Sequence, residues 1–259
     1  MSWGTLYGIG MGPGDPELLT RKAYRLLATV PVIFYPACGG KAEGFALDIL
    51  QRAFTDQGSQ ALRQLSTRGL PILERCRPLP ITMVRGSDHA RPHWSQASET
   101  VGEVLQGGRD AAFITEGDPL VYSTFVYLRV ALAERFPEVQ VEVIPGVSSI
   151  TAAAARTAFP LAIADERLAV LPATYDPLFL ERALEAFDTI VLLKVNRVLD
   201  RLIDILKPRG LLANAVLVEY CGTPRERIVN DLTKLRGQRV DYFSLLLVRK
   251  GGIKESSAG

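Results

Sequence analysis

A glycine-rich turn near the start of the chain restricts its fold more than any other stretch. Residues 6–9 form a short apolar run, and glycines stand at positions 8, 10, 12 and 14. Glycine at alternate positions lets the backbone turn sharply and approach a ligand without side-chain obstruction. Asp15 is a helix-capping residue type and Pro16 suits the first helical position, where proline's missing N–H is not needed. The stretch predicts a strand, a ligand-facing turn and a helix over residues 17–29.

Composition and charge narrow the class of protein. The 259 residues, 47% of them hydrophobic, suffice for one large domain or two small ones. A net charge of +2, from 30 basic and 28 acidic residues, argues against a nucleic-acid partner. Cys38, Cys76 and Cys221 are far apart, so we expect reduced thiols. With no signal pattern and no apolar run of about 18 residues, we expect a soluble cytoplasmic protein without a membrane partner.

Short apolar runs alternate with helical patterns along the whole chain, which predicts an α/β fold. The first half places strands at residues 6–9, 32–35, 81–84, 110–115 and 139–144, and helices at 45–53, 94–105 and 125–136. The second half places strands at 168–171, 189–195, 215–220 and 243–248, and helices at 150–158, 178–187 and 198–206. Residues 55–80 look irregular, and residues 85–92 look like a polar loop.

A breaker pair, Pro145-Gly146, ends the last strand of the first half. We therefore predict two α/β domains, over residues 1–144 and 145–250, followed by a flexible tail over 251–259. Junctions of this kind are common ligand sites, so we expect a cleft between the domains to hold the ligand.

Two nucleotide-binding signatures can be tested against the glycine turn, and both fail. The dinucleotide fingerprint requires glycine three residues after Gly10, where Pro13 stands. A P-loop requires Gly-Lys followed by Ser or Thr, but Gly40-Lys41 precedes Ala42. The turn is therefore expected to face a neutral or cationic small molecule rather than a phosphate.

A second loop, Glu116 to Pro119, follows a buried-type strand. The carboxyl ends of strands are the usual ligand positions in an open α/β sheet. The carboxylates of Glu116 and Asp118 suit a positively charged ligand such as a sulfonium. The alternative is that Asp118 only caps the helix that begins after Pro119.

Three segments resemble the motifs of the tetrapyrrole methylases. They are residues 10–20, 117–124 and 144–149, with the sequences GMGPGDPELLT, GDPLVYST and IPGVSS. Within that family, Tyr35-Pro36, residues 83–94, Pro172-Ala173-Thr174 and the segment from Tyr242 resemble the precorrin-2 C20-methyltransferases. The resemblance implies two α/β domains, usually dimeric, with S-adenosylmethionine held in the cleft between them.

The resemblance also implies site residues. The positions near the cofactor are Pro13, Gly117, Asp118, Ser148, Ser149, Lys194, Ala215 and Leu245. Lys194 stands where the family often has methionine, so it is also a candidate for the carboxylates of the substrate. A base is needed only for the proton displaced from the methylated carbon, and Asp118 and then Tyr122 are the candidates.

The remaining polar clusters are assigned by residue type. Arg85, His89, Arg91 and Trp94 are predicted to bind the carboxylate-rich, flat macrocycle. The alternative for Arg85, His89 and Arg91 is a solvated loop, and the alternative for Trp94 is a core position. His89 and His93 have only Asp88 nearby as a further ligand, so no metal site is expected. Arg225 to Arg227 read as a mixed solvated face.

The resemblance thus implies C-methylation of precorrin-2 or cobalt-factor-2 at C20, with S-adenosylmethionine as methyl donor, in corrin biosynthesis. We expect a homodimer. One alternative keeps the fold and changes the acceptor to another corrin carbon or another molecule. The other is a non-catalytic module that binds S-adenosylmethionine.

Overall fold

The computed structural model describes residues 2–37, 44–55, 71–81 and 87–251. The chain forms two compact units, Met1–Ser148 (unit 1) and Ser149–Gly259 (unit 2). Each has its own five-stranded sheet, with two apolar cores in unit 1 and one in unit 2. The predicted α/β fold is confirmed.

Unit 1 contains a fully parallel sheet with helices on both faces. Its strands are β1 (Thr5–Gly10), β2 (Val32–Ala37), β3 (Cys76–Pro80), β4 (Ala111–Thr115) and β5 (Gln140–Ile144). Its helices are α1 (Arg21–Thr29), α2 (Phe45–Thr55), α3 (Ser87–Gln106) and α4 (Phe125–Arg135). The strand order is β3-β2-β4-β1-β5.

Alternate residues of the unit 1 strands point to opposite faces of the sheet, and this separates two cores. Leu6, Phe34 and Phe113 belong to a cluster that includes residues of α3 and α4. Ile9 and Ile114 belong to a second cluster that includes residues of α1 and α2. Both faces are apolar because the strands of a parallel sheet are covered on both sides.

Unit 2 contains a mixed sheet. Its strands are β6 (Leu168–Pro172), β7 (Thr189–Leu193), β8 (Ala215–Glu219), β9 (Arg227–Val229) and β10 (Ser244–Arg249). Its helices are α5 (Ser149–Arg156), α6 (Pro177–Ala186) and α7 (Leu199–Leu206). The order is β6-β7-β10-β8-β9, and β10 lies antiparallel to both neighbours.

Three predicted elements differ from the structure. The helix predicted over residues 17–29 begins only at Arg21, because Thr20 caps it by accepting a hydrogen bond from the Ala23 N–H. Asp15 is a cap and Pro16 is the first residue after it, as predicted. The helix that they begin is the short 3-10 helix Pro16–Leu18. The predicted polar loop is wrong from Ser87 onward, since α3 begins there.

The third unit 1 strand also lies elsewhere than predicted. It occupies Cys76–Pro80 rather than residues 81–84, of which 82–84 lie outside the described residues. Two prolines argue against a strand here, because proline has no N–H for a neighbouring strand. In the described residues β3 is an edge strand that pairs with β2, and a missing N–H is tolerated at that position. Of the predicted irregular stretch 55–80, residues 56–70 lie outside the described residues, and so does the predicted tail beyond residue 251.

Candidate functional site

The first loop (after β1) and the second loop (after β4) meet at the carboxyl ends of the unit 1 strands. Strands β4, β1 and β5 are parallel neighbours, so the segments that follow them emerge side by side. Gly12 and Gly117 form an isolated antiparallel bridge. The Gly117 N–H donates to the Gly12 carbonyl at 2.8 Å, and the Gly12 N–H donates to the Gly117 carbonyl at 3.3 Å. The two loops are therefore fixed to each other through main-chain atoms.

The third loop packs against the other two through glycine. A Cβ atom on Gly146 would lie 2.2 Å from the Gly117 carbonyl oxygen and 2.8 Å from the Gly10 Cα. A Cβ on Gly10 would lie 2.6 Å from the same carbonyl oxygen. Distances this short leave no room for a side chain. The three predicted motifs thus converge with their backbones in direct contact.

Asp118 ties the second loop to the third. Its Oδ1 accepts the Leu120 N–H at 2.9 Å, and its Oδ2 accepts the Gly146 N–H at 3.1 Å. The alternative that Asp118 caps the helix after Pro119 is wrong, because α4 begins at Phe125. The carboxylate instead holds the turn and the loop that follows β5.

The remainder of the second loop is closed by hydroxyl groups. Ser123 Oγ lies 3.0 Å from Thr115 Oγ1 in a buried pair and accepts the Phe125 N–H at 3.1 Å. Tyr122 has a left-handed backbone with φ +53° and is exposed. Burial raises the pKa of the Glu116 carboxyl. The loop is consequently closed at its base and exposes a tyrosine at its tip.

Two further predicted positions, Pro13 and Ser148, lie in the loops of unit 1, and Ser149 begins unit 2. Pro13 is buried in the first loop, where the Arg52 side chain donates to the Gly14 carbonyl at 2.6 Å. Ser148 ends the third loop and is half-buried. Ser149 is the first residue of α5. The structure therefore brings Pro13, Gly117, Asp118 and Ser148 into one set of adjoining loops.

The predicted unit 2 positions separate into two groups. Leu245 lies opposite Leu193 on β7, and the exposed Lys194 follows directly with φ +60°. Ala215 lies opposite Val248, three residues further along β10 and therefore about 10 Å away. Lys194 and Leu245 lie at the end of the sheet where β7 and β8 finish, whereas Ala215 lies at the other end, where β8 begins.

The substrate-binding candidates are only partly described. Arg85 lies outside the described residues, and His89 and Arg91 lie in α3 with side chains that are not described. Trp94 is buried and stacks on Tyr127, with ring centroids 5.7 Å apart. Trp94 therefore belongs to the core between α3 and α4.

A charged loop in unit 2 was missed by sequence reasoning. Glu226 accepts two-pronged hydrogen bonds from Arg156 and a 2.7 Å bond from the Gly222 N–H. Burial by itself raises the pKa of Glu226, but the Arg156 and Gly222 hydrogen bonds and the charge of Arg156 lower it overall. Arg227 pairs with the buried Glu219. The interpretation of Arg225 to Arg227 as a solvated face is wrong for Glu226, whose side chain is largely buried, and holds for the exposed Arg225 and Arg227.

Two features are absent from the described ranges. In residues 2–37, 44–55, 71–81 and 87–251, no helix is both long and apolar enough to cross a membrane. The same ranges hold no group of three or more His, Cys, Asp or Glu side chains suited to a metal ion.

Comparisons with known proteins extend over nearly the whole chain. Residues 5–236 match the family model of tetrapyrrole (corrin/porphyrin) methylases. The precorrin-2 C(20)-methyltransferase of Sinorhizobium sp is 34% identical over 95% of both chains. The cobalt-precorrin-2 C(20)-methyltransferase of Salmonella typhimurium is 30% identical over 95% of this chain and 97% of that protein.

Two further comparisons concern length and fold. The chain is 33% identical to the cobalamin biosynthesis protein CobIJ of Mycobacterium tuberculosis, but spans only about half (46%) of its length. The uroporphyrin-III C-methyl transferase of Thermus thermophilus, solved with S-adenyl homocysteine, superposes with a TM-score of 0.61 at 23% identity. The superposition covers 95% of this chain and 98% of that one, and at this identity it shows the fold.

Proposed function

Because this chain belongs to the tetrapyrrole (corrin/porphyrin) methylase family, we propose that it is an S-adenosylmethionine-dependent methyltransferase acting at C20 of precorrin-2 or its cobalt-containing counterpart. The observation that carries the proposal is the convergence of three loops at Gly10, Gly117 and Gly146. Support for the acceptor comes from relatives matched over 95% or more of both chains, which are named C(20)-methyltransferases.

The second loop of unit 1 leaves space for a ligand beside its main chain. A Cβ added at Gly117 would approach nothing closer than 4.0 Å, so the main chain there is open to a ligand. We propose cofactor contacts at Pro13, Gly117, Asp118 and Ser148 in unit 1, and at Ser149, Lys194 and Leu245 in unit 2. Ala215 stays a prediction from the family resemblance alone.

The reaction asks little of the side chains. S-adenosylmethionine supplies an electrophilic methyl group, and the macrocycle supplies the carbon nucleophile. The loops hold the two partners in line and exclude water, which can lower the barrier substantially. We propose Asp118 as the group that removes the displaced proton, with Tyr122 as the second candidate.

A turnover assay tests the proposed function. Purified protein with S-adenosylmethionine is expected to add one methyl group to precorrin-2 or to cobalt-precorrin-2, as read by mass and absorbance. Methylation at a different carbon or of a different acceptor would overturn the C20 assignment. Binding of S-adenosylmethionine without turnover on any tetrapyrrole would favour the non-catalytic module.

Asp118→Asn and Tyr122→Phe separate the two base candidates. In Asp118→Asn an amide NH₂ would face the N–H of Leu120 or Gly146, so we expect weaker cofactor binding together with lost turnover. Tyr122→Phe keeps the ring and is expected to bind the cofactor normally. Full turnover of Asp118→Asn with unchanged cofactor affinity would exclude Asp118 as the base.

We propose that Arg85, His89 and Arg91 bind carboxylates of the macrocycle. Charge reversal at Arg85 or Arg91 should weaken tetrapyrrole binding and leave S-adenosylmethionine binding intact. Equal loss of both would indicate misfolding and contradict the assignment.

We also propose a homodimer. The loop tip and the outer face of α4 expose six apolar side chains, which are Leu120, Val121, Tyr122, Val126, Tyr127 and Val130. A helix with apolar residues on both faces is typical of a buried position. Light scattering should therefore give twice the chain mass, and Val130→Asp should halve it. Loss of the dimer in Leu178→Asp instead would assign the interface to α6, where Leu178 is 55% exposed.

We further propose that the protein works in the cytoplasm. Cys76 and Cys221 are free thiols, which is typical of a reducing compartment. Fractionation of cells that produce the chain would test this location, and recovery with the membrane or secreted fraction would contradict it.

A further inference from the structure

The loop between β8 and β9 is held rigidly by hydrogen bonds within unit 2. Thr223 Oγ1 donates to the Tyr220 carbonyl at 2.8 Å and accepts the Arg225 N–H at 3.1 Å. The Glu226 N–H donates to the Thr223 carbonyl at 3.0 Å. Because Arg156 of α5 also grips Glu226, the loop is fixed at its far end as well. A residue carried by this loop is therefore presented in a set position.

The loop uses this rigidity to hold one cation against an aromatic face. The Arg225 guanidinium carbon lies 3.7 Å from the centre of the Tyr220 ring. Tyr220 has a left-handed backbone with φ +47°, and its N–H donates to the Phe243 carbonyl at 2.8 Å. Stacking of this kind orients a guanidinium and leaves the N–H donors at its rim free to face a ligand.

The arginine stands at the edge of the sheet that carries Lys194 and Leu245. Tyr220 directly follows β8, and Glu219 at the end of β8 pairs with Ser244 at the start of β10. Leu245 then pairs with Leu193, the residue before Lys194. The ends of parallel strands are the usual ligand positions in α/β sheets. Tyr220 and Arg225 thus lie where a ligand of this unit is expected.

Arg225 differs from its charged neighbours in having no carboxylate partner in the described part of the chain. Arg156 pairs with Glu226 and Arg227 with Glu219, whereas Arg225 forms none of the ion pairs of the described residues. Burial and then the neighbouring Asp241 carboxylate raise the pKa of Tyr220, and the Arg225 guanidinium opposes that rise. An oriented and exposed guanidinium that forms no ion pair with the described residues suits an external carboxylate.

We propose that Arg225, held against Tyr220, binds one carboxylate side chain of the tetrapyrrole substrate. The assignment rests on the proposed function, because it takes the acceptor to be a carboxylate-bearing macrocycle. It adds a substrate-binding residue in unit 2 to the predicted cations around Arg85 in unit 1. Binding involves no covalent step, since the arginine only pairs with a group remote from the reacting carbon.

Steady-state kinetics of Arg225→Ala and Arg225→Lys with precorrin-2 or cobalt-precorrin-2 test the inference. Removal of one charge-assisted, two-pronged interaction should raise KM for the tetrapyrrole about tenfold. The value of kcat and the Kd for S-adenosylmethionine should stay within error of wild type. Arg225→Lys should recover part of the loss, because lysine keeps the charge but not the planar fork.

Arg182→Ala is the matched control, since Arg182 is an exposed arginine on α6 of the same unit. It should leave KM unchanged. An unchanged KM in Arg225→Ala would overturn the inference. A rise in KM that is matched by an equal loss of affinity for S-adenosylmethionine would overturn it as well. Absence of turnover in the wild type would instead contradict the proposed function, so the two failures are distinguishable. Tyr220→Leu removes the aromatic face on which Arg225 stacks, and it should therefore also raise KM for the tetrapyrrole.

Discussion

The carboxyl ends of the parallel strands are followed by different chemical groups in the two units. In unit 1 the edge consists of main chain, because Gly10, Gly117 and Gly146 pack backbone against backbone. In unit 2 the edge carries side chains, with Arg225 stacked on Tyr220 and Lys194 exposed beside Leu245. A main-chain edge is specific for shape, whereas a side-chain edge is specific for charge and can change without altering the fold.

This difference suggests a division of labour. The glycine edge suits a ligand common to the whole family, because its geometry leaves little freedom for substitution. The side-chain edge suits the part of a substrate that differs between relatives. Substitutions at the three packed glycines of unit 1 should therefore affect folding and cofactor binding together, whereas substitution of Arg225 in unit 2 should affect substrate recognition alone.

Gly146→Ala should have the largest effect. Its new methyl group would lie 2.2 Å from the Gly117 carbonyl oxygen, so the loops must separate. We expect a loss of about 3 kcal/mol in the free energy of unfolding, with loss of S-adenosylmethionine binding. Urea unfolding and calorimetry measure both. Gly107→Ala is the control, because its Cβ would meet nothing closer than 3.4 Å and its stability should be near wild type. Normal cofactor binding by Gly146→Ala would break the comparison.

Glu226→Gln should have the second largest effect. It removes a largely buried carboxylate that accepts hydrogen bonds from Arg156 and Gly222, at a cost of about 2 kcal/mol. Glu99→Gln in unit 1 is the control, because its pair with Arg135 is about half exposed on both sides and should contribute at most about 1 kcal/mol. Equal losses in urea unfolding would contradict the rigid loop.

The stability difference between wild type and Glu226→Gln should also depend on pH. The folded-state pKa of Glu226 is lowered, so its contribution to stability is complete above its unfolded pKa, near 4.5. That contribution disappears as the pH falls through the folded pKa. The stability gap between wild type and Glu226→Gln should therefore be full at neutral pH and shrink under acid conditions. A gap that grows on acidification would reverse the sign.

Lys194→Gly should have a smaller effect with the opposite sign. Lys194 adopts φ +60°, a conformation that glycine reaches without strain, so we expect a gain of about 0.5–1 kcal/mol. Lys207→Gly is the control, because Lys207 has φ −57° and should lose stability instead. Thermal unfolding of both variants tests whether the left-handed backbone at Lys194 is strained. In unit 1, glycines such as Gly12 and Gly117 occupy such positions instead.

Thiol chemistry should distinguish the units least. Burial raises the pKa of both Cys76 in unit 1 and Cys221 in unit 2 to about 11. Both thiols stay protonated at pH 8 and should react slowly with iodoacetamide, because the thiolate is the reactive form. Peptide mass spectrometry reads each site separately. Rapid labelling of either would show that its burial opens on the timescale of the reaction.

The sequence predicted most elements because their patterns are local. The apolar runs of β1, β2 and β4 and the cap at Asp15 are visible in a short window. The misses have a common cause. Cys76–Pro80 is a strand only because β2 pairs with it, and Arg227–Val229 only because β8 does. Pairing between distant segments leaves no mark on a short and polar strand.

The site shows the same limit. The motifs placed three loops after three strands, but nothing in a motif states that Gly146 meets Gly117 or that Asp118 reaches the Gly146 N–H. Arg225 was passed over because it lies in a run of alternating charges. Its distinction is that Glu226 and Arg227 are each engaged with a distant partner, and only the fold supplies that information.

The position of β10 has a consequence for synthesis of the chain. Ser244–Arg249 is the latest of the unit 2 strands to be made, yet it lies in the middle of the sheet, between β7 and β8. Unit 1 has all five of its strands by Ile144 and can fold as the ribosome continues. Until the final strand emerges, β7 and β8 each expose an unpaired edge, and such edges are prone to aggregate. The nascent protein should therefore depend on chaperones most during the interval between β8 and β10.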